Sequence, residues 1–281
     1  MITTELVRAL VDRQFPEWAG LPLRRVEPAG SDHVIHRLGD ELAVRLPRHE
    51  GAIGQAAKEL AWLPRLAPHL PIAVPEPVAV GEPDLGYPWR WAVARWLDGR
   101  VATVEAFGDS VPTAVRLAEF LAALQRLPRD GAPSGGQSLA GRDAETRAAI
   151  ERVGDVFDAA ALDRLWTAAV EAPAWDRPPV WFHGDFHTGN LLTVGGEVSA
   201  VIDFGGLGAG DPAVDLMMPF SLMSARSRAA FRETLGVDDA TWVRGRGWAL
   251  TGALIAYTAY AATDARIAAA TTRQIEQALI G

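Results

Sequence analysis

The chain has 281 residues and no cysteine, and its 27 basic against 35 acidic side chains give a net charge of −8. So acidic a surface argues against nucleic acid as a partner, and without cysteine there are no disulfides, zinc thiolates or thiol nucleophile. No apolar run approaches the roughly 20 residues that span a membrane, and the amphipathic, acid-containing start does not resemble a secretory signal. We therefore expect a soluble, cytoplasmic protein.

The first 97 residues predict a small antiparallel sheet with two helices. Apolar residues at helical spacing predict an amphipathic helix over residues 3–15 and another over Gly51 to Leu66. The Gly39-Asp40 pair between two apolar runs predicts a hairpin turn. The predicted extended segments are Leu23 to Pro28, His33 to Leu38, Glu41 to Leu46, the proline-rich residues 71–88 and Trp89 to Leu97.

After Asp98-Gly99 the sequence becomes mainly helical, which predicts a lobe boundary there. Helical patterns cover Val111 to Leu127 and residues 143–172, 212–234 and 239–279. The prediction is an α+β fold of two lobes, a small antiparallel sheet lobe (1–97) and a larger, mainly helical lobe (98–281).

Charge is distributed unevenly between these halves. Residues 1–97 hold 11 basic and 12 acidic side chains, a net of −1, whereas residues 98–281 hold 16 and 23, a net of −7. An acidic second half would attract a cationic small molecule, but surplus acid also serves solubility alone. Composition leaves both interpretations open.

The most informative stretch is WFHGDFHTGNLLTVGGEVSAVIDFG, residues 181–205. Two short β-prone runs flank a Gly-Gly pair, which predicts a hairpin. Asn190 precedes the first run and Asp203 follows the second, so we expect their side chains to face each other at its open end. An amide oxygen beside a carboxylate is a suitable place for Mg²⁺. Asp185, in the preceding loop, could then accept a proton from a hydroxyl bound beside that metal.

Other polar residues near this stretch have weaker signals. His183 is expected to bond loop backbone, and His187 could contact substrate or solvent. Asp211, followed by proline, has the form of a helix N-cap, and we expect structural roles for Asp211 and Asp215. The Gly-Ser turn at Ser31 could let backbone N–H groups approach a phosphate.

Three motifs in order and spacing, HGDFHTGN, IDFG and GDPAVDL, resemble those of the aminoglycoside phosphotransferase family. Its antibiotic and metabolite kinases share the protein-kinase fold. The resemblance extends to DELAVRLPR as the third strand, KELAWLPRLAP as the next helix and ARWLDG as the hinge, about residues 94–98. It implies that Asp185 is the catalytic aspartate, that Asn190 and Asp203 ligate Mg²⁺, and that Asp215 braces the catalytic loop.

The resemblance also implies an ATP or GTP site, with one departure from the family pattern. Glu59 matches the helix glutamate that pairs with the phosphate-binding lysine, but Arg45 stands at the lysine position. Arginine can still neutralise phosphate charge and pair bidentately with Glu59, although its fork is larger. Lys58 should face elsewhere. At the hinge, the Arg95 carbonyl and the Leu97 N–H are implied to contact the purine.

The segment after Asp203 is short and lacks the long activation segment with which protein kinases hold a peptide. We therefore expect a small hydroxylated acceptor, and most plausibly a cationic antibiotic: an aminoglycoside, or a basic cyclic peptide such as the capreomycin and viomycin type. Phosphorylation would add about −1.5 to −2 charge and so spoil the fit of the drug to ribosomal RNA, giving resistance. Candidate acceptor contacts are Tyr257, Tyr260, Asp264 and Glu276.

Three alternatives belong beside this prediction. A kinase of another small hydroxylated compound, such as a macrolide, choline, homoserine or a sugar, stays open. A non-catalytic nucleotide-binding pseudokinase is favoured only by Arg45. A calcineurin-like metallophosphoesterase would need histidine ligands beyond the DFH motif, but no histidine follows His187, and this class is excluded.

Overall fold

The computed structural model describes residues 1–27, 32–135 and 138–281. The first part is a five-stranded antiparallel sheet in the order β1-β2-β3-β5-β4. Helices α1 (Thr4–Gln14) and α2 (Gln55–Leu66) accompany it. The strands are β1 (Leu23–Arg25), β2 (His33–Leu38), β3 (Leu42–Pro47), β4 (Pro77–Gly81) and β5 (Trp91–Arg95).

Helix α1 covers one face of this sheet. Val7, Leu10 and Val11, spaced to share one side of a helix, are fully buried in a cluster with residues of β2, β3 and β5. Thr3 caps the helix by accepting from the Leu6 N–H. The predicted amphipathic helix therefore holds the outer side of the sheet.

Helix α2 begins at Gln55, four residues later than predicted. A 3₁₀ turn over Glu50–Ala52 comes first, and Gly54 then takes φ of +92°, a conformation incompatible with a helix interior. Glu59 lies on α2 and is only 3% exposed.

The larger part of the molecule is mainly helical around one extended apolar core. Where a single helical stretch was predicted over 143–172, two helices form, because Asp158 caps a new start. Asp264 likewise divides residues 239–279. The helices are α3 (Val104–Phe107), α4 (Val111–Arg126), α5 (Asp143–Arg152), α6 (Ala159–Glu171), α7 (Met218–Ser221), α8 (Ala225–Leu235), α9 (Asp239–Tyr260) and α10 (Ala265–Ile280).

Two small sheets lie within this helical part. Strands β7 (Val180–Phe182) and β10 (Gly208–Gly210) form an antiparallel pair. Strands β6 (Arg100–Val101), β8 (Leu191–Val194) and β9 (Glu197–Val201) form the other sheet. The predicted α+β architecture, a small sheet followed by a helical lobe, is confirmed. Within the described ranges, no helix is both long and apolar enough to cross a membrane.

The predicted hairpin is β8–β9, and its register differs from the prediction by one residue. Gly195 and Gly196 both take positive φ at the turn, as a tight two-residue hairpin requires. A bulge then shifts the pairing, because Leu192 opposes Ala200 whereas Thr193 opposes Val198. Consequently Ile202, and not Asp203, lies beside Asn190, whose carbonyl accepts from the Ile202 N–H at 2.9 Å.

Candidate active site

The loop over residues 183–190, hereafter the Asp185 loop, follows β7 and is fixed at its start by a buried carboxyl group. Asp215, which is fully buried, accepts from the backbone N–H of His183 at 2.7 Å and from that of Gly184 at 2.8 Å. Burial raises the pKa of Asp215 to about 7, against the opposing effect of these two N–H groups. The side chain thus satisfies two backbone donors that the turn out of β7 would leave unpaired.

His183 joins the Asp185 loop to the end of the hairpin. Its Nε2 lies 3.0 Å from the carbonyl oxygen of Ile202, and its Nδ1 accepts from the Asp185 N–H at 3.2 Å. These partners are consistent with a neutral ring protonated on Nε2, and burial lowers the pKa of His183 accordingly. The ring bonds backbone on both sides, and it positions Asp185 and Ile202, the residue immediately before Asp203.

Gly184 has a steric requirement of its own. Its φ is +87°, and a Cβ atom there would lie 2.2 Å from the carbonyl oxygen of Gly206. Gly206 is equally constrained, because its own Cβ would meet the backbone of Gly184 at 2.9 Å. The loop that carries Asp185 and the segment after Asp203 therefore touch backbone to backbone.

The Asp185 side chain is half exposed and is bonded within its own loop. Asn190 donates from its amide nitrogen to the Asp185 carbonyl at 2.8 Å and to Oδ2 at 3.0 Å. His187 Nε2 lies 3.5 Å from the same Oδ2, and its Nδ1 accepts from the Gly189 N–H at 3.0 Å. Burial would raise the pKa of Asp185, but His187, His183 and Asn190 outweigh it and bring that pKa to about 2.

Arg45 spans the cleft between the sheet and the hairpin. From β3, its Nη1 donates to Oε2 of Glu59 at 2.7 Å, while its Nη2 donates to Oδ1 of Asp203 at 3.3 Å. The arginine side chain is 12% exposed and the aspartate 39%. Asp203 itself has left-handed backbone angles, φ 65° and ψ 71°, which are uncommon for a residue other than glycine. Such strain is often found at functional sites.

His33 on β2 lies close enough to Arg45 and Asp203 for their charges to affect its pKa. It is 5% exposed, and burial together with the positive charge of Arg45 lowers its pKa to about 4, although Asp203 and Asp32 act in the opposite direction. His33 is accordingly neutral at physiological pH.

The donor set around Asp203 suits Mg²⁺ when phosphate oxygens complete the shell. Because the Asn190 amide nitrogen is committed to Asp185, its amide oxygen is the atom left for a hard cation. Asp203 supplies a partly exposed carboxylate. Across the residues with described positions, no group of three or more His, Cys, Asp and Glu side chains is arranged to hold a metal. An ion bound at Asn190 and Asp203 would therefore take two protein oxygens and complete its shell with substrate phosphates and water.

The other residues singled out from sequence lie in varied settings. Arg95 ends β5 and its side chain pairs with Glu41 at 3.2 Å, and Leu97 follows that strand; their backbone contacts with a purine stay a prediction. Ser31 lies outside the described residues. Asp211 caps the 3₁₀ turn that follows it and forms a two-bond ion pair with Arg244, as its predicted structural role requires.

The candidate acceptor residues have structural contacts of their own. Tyr257 packs edge to face against Phe157, with ring centroids 5.3 Å apart. Asp264 caps α10 through the Arg266 and Ile267 N–H groups. Tyr260 and Glu276 are exposed on α9 and α10. No contact described here joins these four side chains to Asp185.

Sequence reasoning missed two contacts with the segment after Asp203. Lys58, next to Glu59, donates to the carbonyl oxygens of Gly205 and Leu207. The bond from Arg45 to Asp203 joins residues 158 positions apart. The Lys58 contact has a partial signal in the sequence. Adjacent residues of a helix point in different directions, so Lys58 is turned away from the face of α2 that holds Glu59. The second has no local signal.

Comparison with known proteins gives the family and the fold of this chain. A family model described as the phosphotransferase enzyme family, APH, matches residues 23–248. No curated protein matches the chain. Solved structures with the same fold include the GDP and kanamycin complex of APH(2")-IIia, at TM-score 0.77 and 19% identity over 97% of both chains. Another is the macrolide 2'-phosphotransferase MphH from Brachybacterium faecium, at TM-score 0.62 and 23% identity over 96% and 97% of the two chains.

The family model covers both the Arg45–Glu59 pair and the loop with Asp185 and Asn190, and the structural neighbours extend over nearly the whole chain. The chain therefore belongs to the phosphotransferase enzyme family, with a protein-kinase-like fold.

Proposed function

We propose that this protein transfers the γ-phosphoryl group of ATP or GTP to a hydroxyl of a small molecule. The observation that carries the proposal is the hydrogen-bonded pair of Asp185 and Asn190 beside the end of β9, where Asp203 is bonded to Arg45 and Arg45 to Glu59. Phosphoryl transfer needs metal ligands, a group that orients the hydroxyl and a cation for the phosphates. In this proposal Asn190 and Asp203 are the ligands, half-exposed Asp185 orients the hydroxyl, and Arg45 is the cation. Solved neighbours hold GDP, ADP and ATP, which supports the nucleotide assignment.

Asp185 serves as the base in this proposal. Its carboxylate accepts the proton of the acceptor hydroxyl as the hydroxyl oxygen bonds to the γ-phosphorus, while the bond from that phosphorus to the β–γ bridging oxygen breaks. With a pKa of about 2, Asp185 is ionised throughout the neutral range and is a weak base. Its main contribution is therefore to orient the hydroxyl, with the proton moving late.

Arg45 is proposed to contact the nucleotide phosphates. In the structure it divides its hydrogen bonds between Glu59 and Asp203, and the second oxygen of Glu59, Oε1, is buried without a hydrogen-bond partner among the described atoms. Mg²⁺, when bound, would neutralise phosphate charge and take the Asp203 carboxylate as ligand. Arg45 could then leave Asp203 and use the spare oxygen of Glu59, so that its pairing becomes bidentate.

The acceptor is proposed to be an antibiotic. The solved neighbours include complexes with kanamycin, streptomycin and gentamicin, and two macrolide phosphotransferases. The net charge of −7 over residues 98–281 favours a cationic drug over a neutral one. Among the predicted acceptor contacts, exposed Tyr260 and Glu276 are better placed to meet a ligand than Asp264, which caps a helix.

The proposal is tested by a nucleotide-consumption screen against hydroxylated aminoglycosides, basic cyclic peptides, macrolides, choline, homoserine and sugars, with mass detection of the added phosphate. We expect one class to gain phosphate, and Asp185→Ala to abolish that gain. Asp155→Asn, an exposed control, should behave as wild type. Asp203→Ala should remove the Mg²⁺ dependence of nucleotide binding measured by calorimetry.

Two results would count against the proposal. Nucleotide binding without phosphate transfer to any member of the panel would favour a pseudokinase. Unchanged Mg²⁺-dependent affinity in Asp203→Ala would remove Asp203 from the metal site.

A further inference from the structure

Arg273 on α10 binds the carboxyl end of a short helix. Its Nη1 donates to the carbonyl oxygens of Phe220 and Ser221 at 3.2 and 2.9 Å. Its Nη2 donates to those of Leu222 and Met223 at 3.1 and 3.0 Å. The last carbonyls of a helix have no partners within it, and the negative end of the helix dipole favours a cation. One guanidinium thus satisfies four consecutive carbonyls at the end of α7.

Ser221, whose carbonyl Arg273 holds, also contacts the Asp185 loop with its side chain. Its hydroxyl oxygen accepts from the Thr188 N–H at 3.2 Å and from the Thr188 hydroxyl at 2.9 Å. The hydroxyl of Ser221 donates in turn to the Met218 carbonyl at 3.3 Å. The Ser221 hydroxyl therefore accepts two hydrogen bonds from Thr188 and donates one to its own helix, which uses its full bonding capacity.

Thr188 lies in the second half of the Asp185 loop. It begins the 3₁₀ turn Thr188–Asn190, and His187, the residue before it, caps that turn by accepting from the Gly189 N–H. Asn190, at the end of the turn, donates to Asp185. A displacement of Thr188 would therefore move both His187 and Asn190, the two side chains that border the Asp185 carboxylate.

We propose that Arg273 is a positioning residue for the Asp185 loop, acting through Ser221 and Thr188. It lies 88 positions beyond Asp185 in the sequence and touches neither that residue nor its side-chain partners. The role in turnover rests on the proposed phosphotransferase function, whereas the role in fixing the loop does not. The inference also makes the C-terminal helix a part of the machinery that holds the site.

A purely structural role for Arg273 predicts something different, and the chain offers a matched control. Arg246 on α9 caps the end of α10 in the same manner, with Nε and Nη2 donating to the Ala278 carbonyl and Nη2 to that of Leu279. Both arginines are partly buried. Loss of Arg246 should thus weaken helix packing without any path to Thr188.

The experiment measures amide hydrogen exchange over residues 186–192 and steady-state kinetics for Arg273→Gln, Arg273→Lys, Ser221→Ala and Arg246→Gln. For Arg273→Gln and Ser221→Ala we expect exchange at the Thr188 amide to rise about fivefold or more, the scale of one lost hydrogen bond. Arg246→Gln should leave it unchanged. Arg273→Lys, which keeps the charge and part of the donor set, should fall between wild type and Arg273→Gln.

In the kinetic arm, kcat should fall about fivefold to tenfold in Arg273→Gln and Ser221→Ala, the range of one hydrogen bond, with KM for nucleotide within twofold. The inference is overturned if either Arg273→Gln or Ser221→Ala exchanges at Thr188 as wild type does. It is also overturned if Arg246→Gln loosens that amide equally. Should Arg273→Gln fail to fold, Arg273→Lys takes its place, and wild-type exchange in Arg273→Lys overturns the inference.

The exchange and kinetic measurements distinguish failure of the proposed phosphotransferase function from failure of the role proposed for Arg273. If wild-type protein phosphorylates no acceptor, the proposed function fails, yet the exchange measurement still decides whether Arg273 fixes the loop. If turnover is normal in both variants while Thr188 exchange is raised, Arg273 fixes the loop but does not position it for catalysis, and the inference is overturned in that part.

Discussion

The two sides of the cleft hold their charged groups by different means. On the floor, formed by the Asp185 loop and the β8–β9 hairpin, Asp215 and His183 bind backbone groups, and Gly184 abuts Gly206. On the roof, formed by β2, β3 and α2, two side chains make the connection: Arg45 donates to Asp203, and Lys58 donates to the carbonyls of Gly205 and Leu207. Backbone contacts fix a position, whereas a single guanidinium with two carboxylate partners can exchange them. The floor is accordingly preformed and the roof is adjustable.

The largest effect on turnover should come from Asp185, the proposed base on the floor. Asp185→Ala would remove that base and the proposed partner of the acceptor hydroxyl, so we expect kcat to fall about 10²–10⁴-fold, the range for general-base catalysis. Nucleotide affinity, measured by calorimetry, should change little, because the Arg45–Glu59 pair is untouched. Near-normal turnover would remove Asp185 from the reaction.

The next effect tests whether the floor is preformed. Asp215→Ala leaves two buried N–H groups without an acceptor, at roughly 1–3 kcal/mol each, so we expect about 2–5 kcal/mol of unfolding free energy to be lost in urea denaturation. Asp155→Ala, at an exposed position, should lose almost nothing. Equal stability of the two variants would mean that the Asp185 loop is not held by Asp215.

A third prediction concerns the roof and pH. The pKa of His33 is about 4 in the folded protein against an ordinary 6.5. Between these values the unfolded chain binds more protons, so stability decreases as pH falls from 6.5 to 4, by about 3 kcal/mol at most. His33→Phe should flatten that slope in unfolding titrations.

His69→Gln, an exposed control, should keep the wild-type slope. Parallel curves for wild type and His33→Phe across this window would show that His33 is not the group responsible.

The smallest expected free-energy change concerns the bond from Arg45 to Asp203. The ammonium group of a lysine is a single compact charge, and it cannot bond Glu59 and Asp203 in the geometry of the guanidinium fork. A double-mutant cycle of Arg45→Lys with Asp203→Asn, measured on nucleotide-free protein, should give a coupling energy of about 1 kcal/mol. The more exposed Arg37–Asp98 pair, 3.6 Å apart, should give a coupling near zero. A coupling energy of zero between Arg45 and Asp203 would show that their hydrogen bond does not stabilise the contact between roof and floor.

Periodicity and turn residues were enough to predict the sheet, the hairpin and most helices. The Gly39-Asp40 and Gly195-Gly196 turns mark their hairpins because only a few residue types accept the backbone angles of tight turns. The bulge in β8–β9 was missed, since nothing in Thr193 or its neighbours sets the pairing register. Register depends on contacts with other strands, which a local pattern does not encode.

The candidate site divides in the same way. Asp185, Asn190 and Asp203 lie within 19 positions of one another, so a loop and a hairpin are enough to predict that they share one region of the fold. The structure bonds Asn190 to Asp185 and places Ile202, one residue before Asp203, beside Asn190. The links from Arg45 to Asp203 and from Arg273 to α7 join distant parts of the chain. They depend on how the lobes and helices pack, and a sequence read segment by segment holds no trace of that packing.

The contact between Gly184 and Gly206 has a consequence for motion. With no side chain separating them, the backbones of these two segments pack directly against each other, so we expect the carboxylates of Asp185 and Asp203 to move together. Any change in the width of the cleft would then fall to the sheet above them, which Arg45 and Lys58 join to this segment. Substituting either glycine would uncouple the pair, and the protein would be expected to keep its fold while its two acids fall out of alignment.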